Sequence, residues 1–154
     1  MGKRSNFERK PRDFYPTPIE AVYPLLEHLE EGFLFAEPCA GDGALINHLE
    51  TKGLCTWASD IEPQAESIFA YNYDQLTAKE LMEAEYIITN PPFKLSLPFV
   101  YKALESVNYK VAFLCRITFL EGVARQKMFE ETQINDIIPS KGIHKTPQSN
   151  TTKN

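Results

Sequence analysis

Apolar residues recur along this chain in two patterns: short continuous runs, and longer stretches with the spacing of an amphipathic helix. The continuous runs predict four strands, at 33–37, 55–60, 85–89 and 110–117. The amphipathic stretches predict four helices, at 18–30, 43–52, 97–107 and 118–131. Because strands and helices alternate, we expect an α/β three-layer sandwich around a mainly parallel sheet.

Local signals predict the ends of two helices. Thr17 is expected to cap the first helix, with Pro18 in its first turn. Gly53 is expected to close the second helix in the C′ position, where glycine accommodates a left-handed backbone.

Three stretches have weaker patterns. Residues 61–74 predict a short helix and then a short strand or turn near 69–73. Thr77 is expected to cap a brief helix over 78–84, and residues 134–139 could form one more short strand.

Length and charge divide the chain into three regions. The 154 residues suit one domain, which we place at 13–139, followed by a polar tail at 140–154 that we expect to be disordered. Residues 1–12 carry five basic side chains and one acidic one, although the whole chain has a net charge of −5. This basic arm could contact a phosphate backbone, and a solubilising terminus is the alternative.

The sequence also disfavours several classes of protein. No apolar run reaches the ~20 residues of a membrane span. The start lacks the apolar core of a signal peptide, so we expect a cytoplasmic protein with no membrane partner. Cys39, Cys55 and Cys115 form no CxxC pair and have no histidine at ligand spacing, so we expect neither a metal site nor a disulfide framework.

Ligands of parallel sheets bind outside the carboxyl ends of the strands, which directs attention to the loops after Glu37, Asp60 and Thr89. In the first loop, Gly41 and Gly43 allow a tight turn and close approach of a ligand to the backbone. Many such turns contain glycine for geometry alone. Glu37 adds an acceptor suited to a cationic amino group.

Two further acids follow at strand ends. Asp60 ends the second predicted strand, 23 residues after Glu37. Acids at that place and interval bind ribose hydroxyls in nucleoside-cofactor folds, and a turn or capping aspartate is the alternative. Asp74 stands in the loop expected after the third strand, and by itself it indicates little.

The sequence Asn90-Pro91-Pro92-Phe93 directly follows the predicted strand at 85–89. The two prolines stiffen the turn and supply no N–H groups that would compete for its carbonyl oxygens. The side chain of Asn90 and the carbonyl of Pro91 can then both accept hydrogen bonds from one planar amino group, with Phe93 stacked on its ring. A rigid strand-to-helix turn is the alternative, but the aromatic residue after Asn-Pro-Pro favours a functional role.

Together these motifs resemble the amino-methylating branch of the S-adenosylmethionine-dependent methyltransferases, especially the short DNA N6-adenine methyltransferases of phages and prophages. The resemblance covers about residues 13–136. It rests on five segments: FYPTP at 14–18, EPCAGDGAL at 37–45, ASDIEP at 58–63, NPPF at 90–93 and FLCRITFLEG at 113–122. It implies a Rossmann-like fold and methyl transfer to N6 of adenine in DNA.

The resemblance implies that the cofactor is S-adenosyl-L-methionine. Glu37 would then face its methionine amino group through solvent, and Asp60 would hold its ribose hydroxyls. Ile61 would pack on the cofactor adenine, and Asp74 would contact its exocyclic amine. Tyr15 and Thr17 would close the methionine end of the pocket. The other implied pocket residues are Pro38, Gly41 and Gly43.

For the target base, the resemblance implies that Asn90 and Pro91 orient the adenine amine, with Pro92 in the same catalytic turn. Phe93 would stack on a base flipped out of the duplex. Two acceptors on the amine hydrogens draw its nitrogen toward tetrahedral geometry and aim the lone pair at the methyl group. Direct displacement then depends on alignment, and it requires no metal and no cysteine nucleophile, so Cys39 is expected to be structural.

The chain departs from the family pattern in two respects. The similarity fades after residue 138, and the polar ending at 141–154 replaces a further apolar strand. We therefore expect a C-terminally truncated copy that lacks the last, antiparallel strand and exposes a sheet edge. We also expect no separate target-recognition domain, and therefore low sequence selectivity or a partner subunit. The alternative functions are methylation of RNA, of a free nucleotide or of a protein glutamine, and cofactor binding by an inactive pseudoenzyme.

Overall fold

In the described part of the chain, five parallel strands form one sheet. They are β1 (Leu34–Glu37), β2 (Leu54–Asp60), β3 (Phe69–Ala70), β4 (Tyr86–Thr89) and β5 (Lys110–Phe113). Their order across the sheet is β3-β2-β1-β4-β5, and every neighbouring pair is parallel. The structure, a computed structural model, describes residues 16–77, 79–81, 83–106, 110–115, 119, 121–132, 134 and 137–138.

Helices provide the crossovers between neighbouring parallel strands. The described α-helices are α1 (Ile19–Leu26), α2 (Ala44–Leu49), α3 (Ser96–Ser106) and α4 (Val123–Glu131). Two short 3-10 turns span Tyr73–Gln75 and Phe93–Leu95. Helix α2 connects β1 to β2, and α3 connects β4 to β5, as parallel neighbours require.

Two separate apolar cores lie on the two faces of the sheet. The first, with α1 and α2, contains the buried residues Val22, Phe35, Leu45, Ile46, Leu49 and Ile88. The second, with α3, contains Ala36, Leu76, Leu81, Ala84, Ile87 and Ala103. Successive residues of a strand point to opposite faces, so Phe35 and Ala36 belong to different cores. The three-layer α/β sandwich predicted from the sequence is therefore confirmed.

The first helix differs from its prediction at both ends. Its N-cap is Pro18, and no side chain caps it, so the prediction that Thr17 is the capping residue is wrong. The helix ends at Leu26, four residues early, yet Leu29 is still buried from the turn that follows. At Leu29 the apolar spacing predicted burial correctly but predicted a helix wrongly, because a residue in a turn can be buried as well.

Gly53 has a different role from the one expected. Helix α2 ends at Leu49, whose carbonyl accepts a hydrogen bond from the Gly53 N–H at 2.9 Å. The backbone of Gly53 is not left-handed. A Cβ there would lie 2.6 Å from both the ring and the carbonyl oxygen of Phe33. Close packing against Phe33, and not a helix-closing conformation, is therefore what requires glycine.

Several shorter predictions are wrong. The described residues of 61–68 form turns and bends, and those of 79–83 form turns, so neither predicted short helix is present among them. The Thr77 backbone N–H and hydroxyl instead donate to the Glu80 carboxylate. The Thr77 hydroxyl also accepts from the Lys79 N–H at 3.2 Å; these are contacts of a helix N-cap, but the described residues that follow form turns.

The last elements are shorter than the apolar pattern indicates. Strand β5 ends at Phe113, and α4 begins only after Gly122, whose φ of 100° interrupts a helical backbone. Ile134, Ile137 and Ile138 belong to no strand. The basic arm at 1–12 and the polar tail at 140–154 lie outside the described residues. The expected absence of the last strand concerns this tail, so it stays a prediction.

Candidate functional site

The candidate site lies where the strand order reverses, between β1 and β4. Chain connections leave this point in opposite directions, and in α/β sheets of this kind ligands bind in a crevice there, outside the carboxyl ends of the strands. Strand β1 ends at Glu37, and β4 ends at Thr89, directly before Asn90. Because β1 and β4 are parallel neighbours, these ends meet at one edge of the sheet. The fold thus brings together Glu37 and Asn90, which lie far apart in the sequence.

Glu37 is a carboxyl group almost fully removed from water, with 1% of its surface exposed. Its Oε1 accepts a hydrogen bond from the Cys39 backbone N–H at 2.8 Å. Burial raises the pKa of Glu37 to about 8, and the charge of Asp60 adds to the rise. At neutral pH this carboxyl group is therefore mostly protonated until a cation accompanies it.

Thr89 is a residue that the sequence analysis did not single out. It is fully buried, and its hydroxyl has no hydrogen-bond partner of ordinary geometry among the described residues. The hydroxyl nevertheless lies near enough to Glu37 to lower the pKa of that carboxyl group against the effect of burial. A polar side chain at the end of the apolar strand 86–89 was the available signal. Thr89 therefore belongs to the immediate surroundings of the Glu37 carboxyl group.

The loop after β1 turns sharply on two glycines. Gly41 and Gly43 have φ of 58° and 88°, in the left-handed region where a side chain is disfavoured. The Gly43 N–H donates to the Ala40 carbonyl at 2.8 Å, and Gly43 is the N-cap of α2. A Cβ at Gly43 would come no closer than 3.8 Å to Ile68, so its backbone conformation, not crowding, requires glycine.

Asp60 connects the end of β2 to this glycine loop. It is buried, its Oδ2 accepts from the Gly41 N–H at 2.9 Å, and its Oδ1 accepts from the Glu62 N–H at 2.8 Å. An ionised carboxylate offers about four acceptor positions, so each oxygen can accept a second hydrogen bond. Asp60 therefore orients the loop and still has acceptors for ligand hydroxyls. The turn aspartate and the binding aspartate, alternatives in the sequence, are compatible in the structure.

The side chain of Asn90 bonds to the segment before α1. Asn90 Nδ2 donates to Thr17 Oγ1 at 3.2 Å, and Thr17 is buried. The ring of His48, on α2, donates from Nε2 to the Thr17 carbonyl at 2.9 Å. Sequence reasoning missed His48, because nothing in its local sequence indicates a partner 31 residues away.

The Pro-Pro turn is held by hydrogen bonds of its own. Pro91 is buried, and the Pro92 carbonyl accepts hydrogen bonds from the Leu95 N–H at 2.9 Å and the Ser96 hydroxyl at 3.3 Å. Phe93 is half-buried at the start of the 3-10 turn. The carbonyl of Pro92 is thus used within the turn.

The remaining predicted pocket residues differ in how far they are exposed to solvent. Pro38 is buried beside Glu37, and Ile61 is 48% exposed directly after Asp60. Asp74 is exposed, and its N–H donates to Asn72 Oδ1 at 3.0 Å. Tyr15 lies outside the described residues.

The segment that carries Asp74 is anchored by its neighbour Tyr73. The ring of Tyr73 stacks on Phe99 of α3, with centroids 3.7 Å apart and planes 20° apart. Partial burial raises the pKa of Tyr73, and the charge of Asp74 and a hydrogen bond to its side chain add to the rise.

Comparison with protein-family models, curated proteins and solved structures found no match for this chain. The class of the protein is therefore defined by its own architecture, an α/β sandwich with an all-parallel sheet in the Rossmann-like order.

Two kinds of feature are absent from the described residues. Among their helices, none combines the length and the apolar character that crossing a membrane requires. The same residues contain no group of three or more His, Cys, Asp or Glu side chains placed to hold a metal ion.

Proposed function

We propose that this protein transfers a methyl group from S-adenosyl-L-methionine to the exocyclic N6 amino group of adenine in DNA. One observation carries the proposal: the Glu37 carboxyl group and the Asn90-Pro91 turn meet at the point where the strand order reverses. A glycine loop held by Asp60 lies beside them. An acceptor for a cation and an acceptor pair for an amine therefore share one crevice.

The cofactor end of the crevice fits a nucleoside that carries a protonated amino group. Glu37 would ionise and accept from that amino group, since a nearby cation favours the charged form of a buried carboxyl group. Asp60 would accept from ribose hydroxyls with the positions that its two backbone hydrogen bonds leave available. Gly41 and Gly43 present backbone without side chains. The bound cofactor would supply the electrophilic methyl group.

The target end fits a planar amine. Asn90 Oδ1 and the Pro91 carbonyl would each accept one amine hydrogen, which directs the nitrogen lone pair out of the ring plane. Phe93, half-buried at the next turn, would stack on the base that carries the amine. In the displacement the amine nitrogen would bond to the methyl carbon as the carbon–sulfur bond breaks, the thioether S-adenosylhomocysteine would leave, and the nitrogen would lose one proton to solvent. The rate depends on alignment of nitrogen and methyl group, for which rigid positioning is worth several orders of magnitude. The Pro-Pro turn provides that rigidity.

Adenine in a DNA duplex must leave the base stack to reach such a crevice. The five basic side chains of residues 1–12 would hold the phosphate backbone, because the body of the chain is acidic. We infer from this charge distribution that the substrate is a polyanionic nucleic acid, for which we choose DNA on the resemblance, and that affinity for it falls steeply with salt concentration.

Methyl transfer from tritium-labelled S-adenosyl-L-methionine to DNA, RNA and protein, measured in parallel, tests the proposal. We expect counts on DNA with the wild type. With Asn90→Ala we expect a loss of about a hundredfold or more, because one acceptor aimed at the reacting amine is removed. Cofactor affinity, measured by calorimetry, should be unchanged.

Asn47→Ala is the matched control, since Asn47 is exposed on α2. It should retain the wild-type rate. Counts on RNA or protein alone would contradict the choice of DNA. Cofactor binding without transfer to any substrate would identify a pseudoenzyme, and equal loss of binding and transfer in Asn90→Ala would contradict the role of Asn90.

A further inference from the structure

Thr17 has an unusual environment for a residue just before a helix. It is buried, with 6% of its surface exposed, yet its hydroxyl does not cap α1. The hydroxyl instead accepts a hydrogen bond from Asn90, 73 residues further along the chain. A threonine that serves neither its own helix nor solvent has its polar group committed to the candidate site.

The direction of this hydrogen bond determines what Asn90 presents to a ligand. A primary amide has one oxygen acceptor and one nitrogen donor group at its end. In the structure the nitrogen, Nδ2, is the atom that contacts Thr17 Oγ1 at 3.2 Å. With the nitrogen engaged, the amide directs its oxygen away from Thr17. Rotation of the amide by half a turn would instead offer N–H groups, which repel an incoming amine.

The backbone of Thr17 is held as well as its side chain. His48 Nε2 donates to the Thr17 carbonyl at 2.9 Å, and His48 belongs to α2, the helix that begins at the glycine loop. Helices α1 and α2 pack against each other on the same face of the sheet. Thr17 is therefore positioned from two sides, and its hydroxyl is a fixed reference point for the amide of Asn90.

We propose that Thr17 is a positioning residue that orients the Asn90 amide so that Oδ1 faces the substrate amine. This inference rests on the proposed function for the identity of the amine. It differs from the role that the family resemblance implies, in which Thr17 closes the methionine end of the cofactor pocket. The two roles make opposite predictions about what a Thr17 variant loses.

Thr17→Val and Thr17→Ser test the inference as a pair. Valine keeps the shape and removes the hydroxyl, whereas serine keeps the hydroxyl. We expect Thr17→Val to lower kcat for methyl transfer about tenfold, the effect of one lost hydrogen bond, with cofactor affinity unchanged. Thr17→Ser should restore most of the rate. Thr56→Val removes a hydroxyl from β2 at about 13 Å from its carboxyl end and should match the wild type.

A second readout does not depend on activity. The side-chain NH₂ signals of Asn90 in a ¹⁵N NMR spectrum, identified by their disappearance in Asn90→Asp, report its hydrogen bond directly. They should shift in Thr17→Val and stay in place in Thr17→Ser and Thr56→Val. Thermal denaturation establishes that each variant is folded.

The outcomes separate the two proposals. Unchanged Asn90 signals in folded Thr17→Val would overturn the positioning role, and so would a loss of cofactor affinity at unchanged kcat. Shifted signals together with no methyl transfer by the wild type would leave the positioning role standing and contradict the proposed function.

Discussion

At the scale of single residues, Glu37 is the group whose chemistry depends most on its surroundings. It ends the central strand β1, and burial raises its pKa to about 8 from 4.5. The folded protein therefore keeps a proton that the unfolded chain releases between these two pH values. The free energy of unfolding falls as pH rises through this window, by about 1.4 kcal/mol per pH unit from this group.

Glu37→Gln should remove this dependence. Glutamine keeps an acceptor for the Cys39 N–H but binds no proton, so between pH 5 and 8 the variant should gain stability relative to the wild type. Urea denaturation at several pH values measures the effect. Glu66→Gln, at an exposed position, is the control and should keep the wild-type slope. Parallel pH profiles for the wild type and Glu37→Gln would show that Glu37 is not protonated when buried.

The sequence predicts part of the candidate site at this scale. Glu37, Asp60 and Asn90 follow apolar runs, and residues at the carboxyl ends of parallel strands must share an edge. The contact between Thr17 and Asn90 was not predictable, because it joins residues 73 positions apart. Only the three-dimensional placement of α1 against the sheet produces it.

At the scale of elements, apolar runs located strands better than apolar spacing located helices. Strands β1, β2 and β4 begin and end within one residue of the predicted limits, since their burial is set by the run itself. Helices α1 and α2 end before their predicted limits and α4 begins after its own, and Leu29, predicted to be helical, is buried from a turn. Helix ends depend on such tertiary contacts, which the spacing of apolar residues does not predict.

Gly53 allows an element-scale prediction. Gly53→Ala should lower the free energy of unfolding by about 1–3 kcal/mol, the usual cost of overpacking, because its Cβ would overlap Phe33. Gly53 directly precedes β2 and lies at the amino end of the sheet, away from the candidate site. Thermal or urea denaturation measures the loss, and cofactor affinity of the folded variant should be unchanged. Wild-type stability in Gly53→Ala would contradict the packing argument.

At the scale of the whole molecule, the candidate site is built on the central strand β1 and its neighbour β4. β1 and β4 are paired with each other and covered on both faces, so the residues that follow them inherit a rigid base. The outer strands β3 and β5 are shorter or more exposed, and Phe69 of β3 is 60% exposed. Precision at the site therefore depends on the central pair and the helices that cover it.

DNA from cells that express this chain, in a host without adenine methylation of its own, tests the central claim most directly. The measurement is the N6-methyladenine content of digested DNA by mass spectrometry. The proposed function predicts N6-methyladenine with the wild type and none with Asn90→Ala expressed to the same level. Unmodified adenine in cells that contain folded wild-type protein would contradict it.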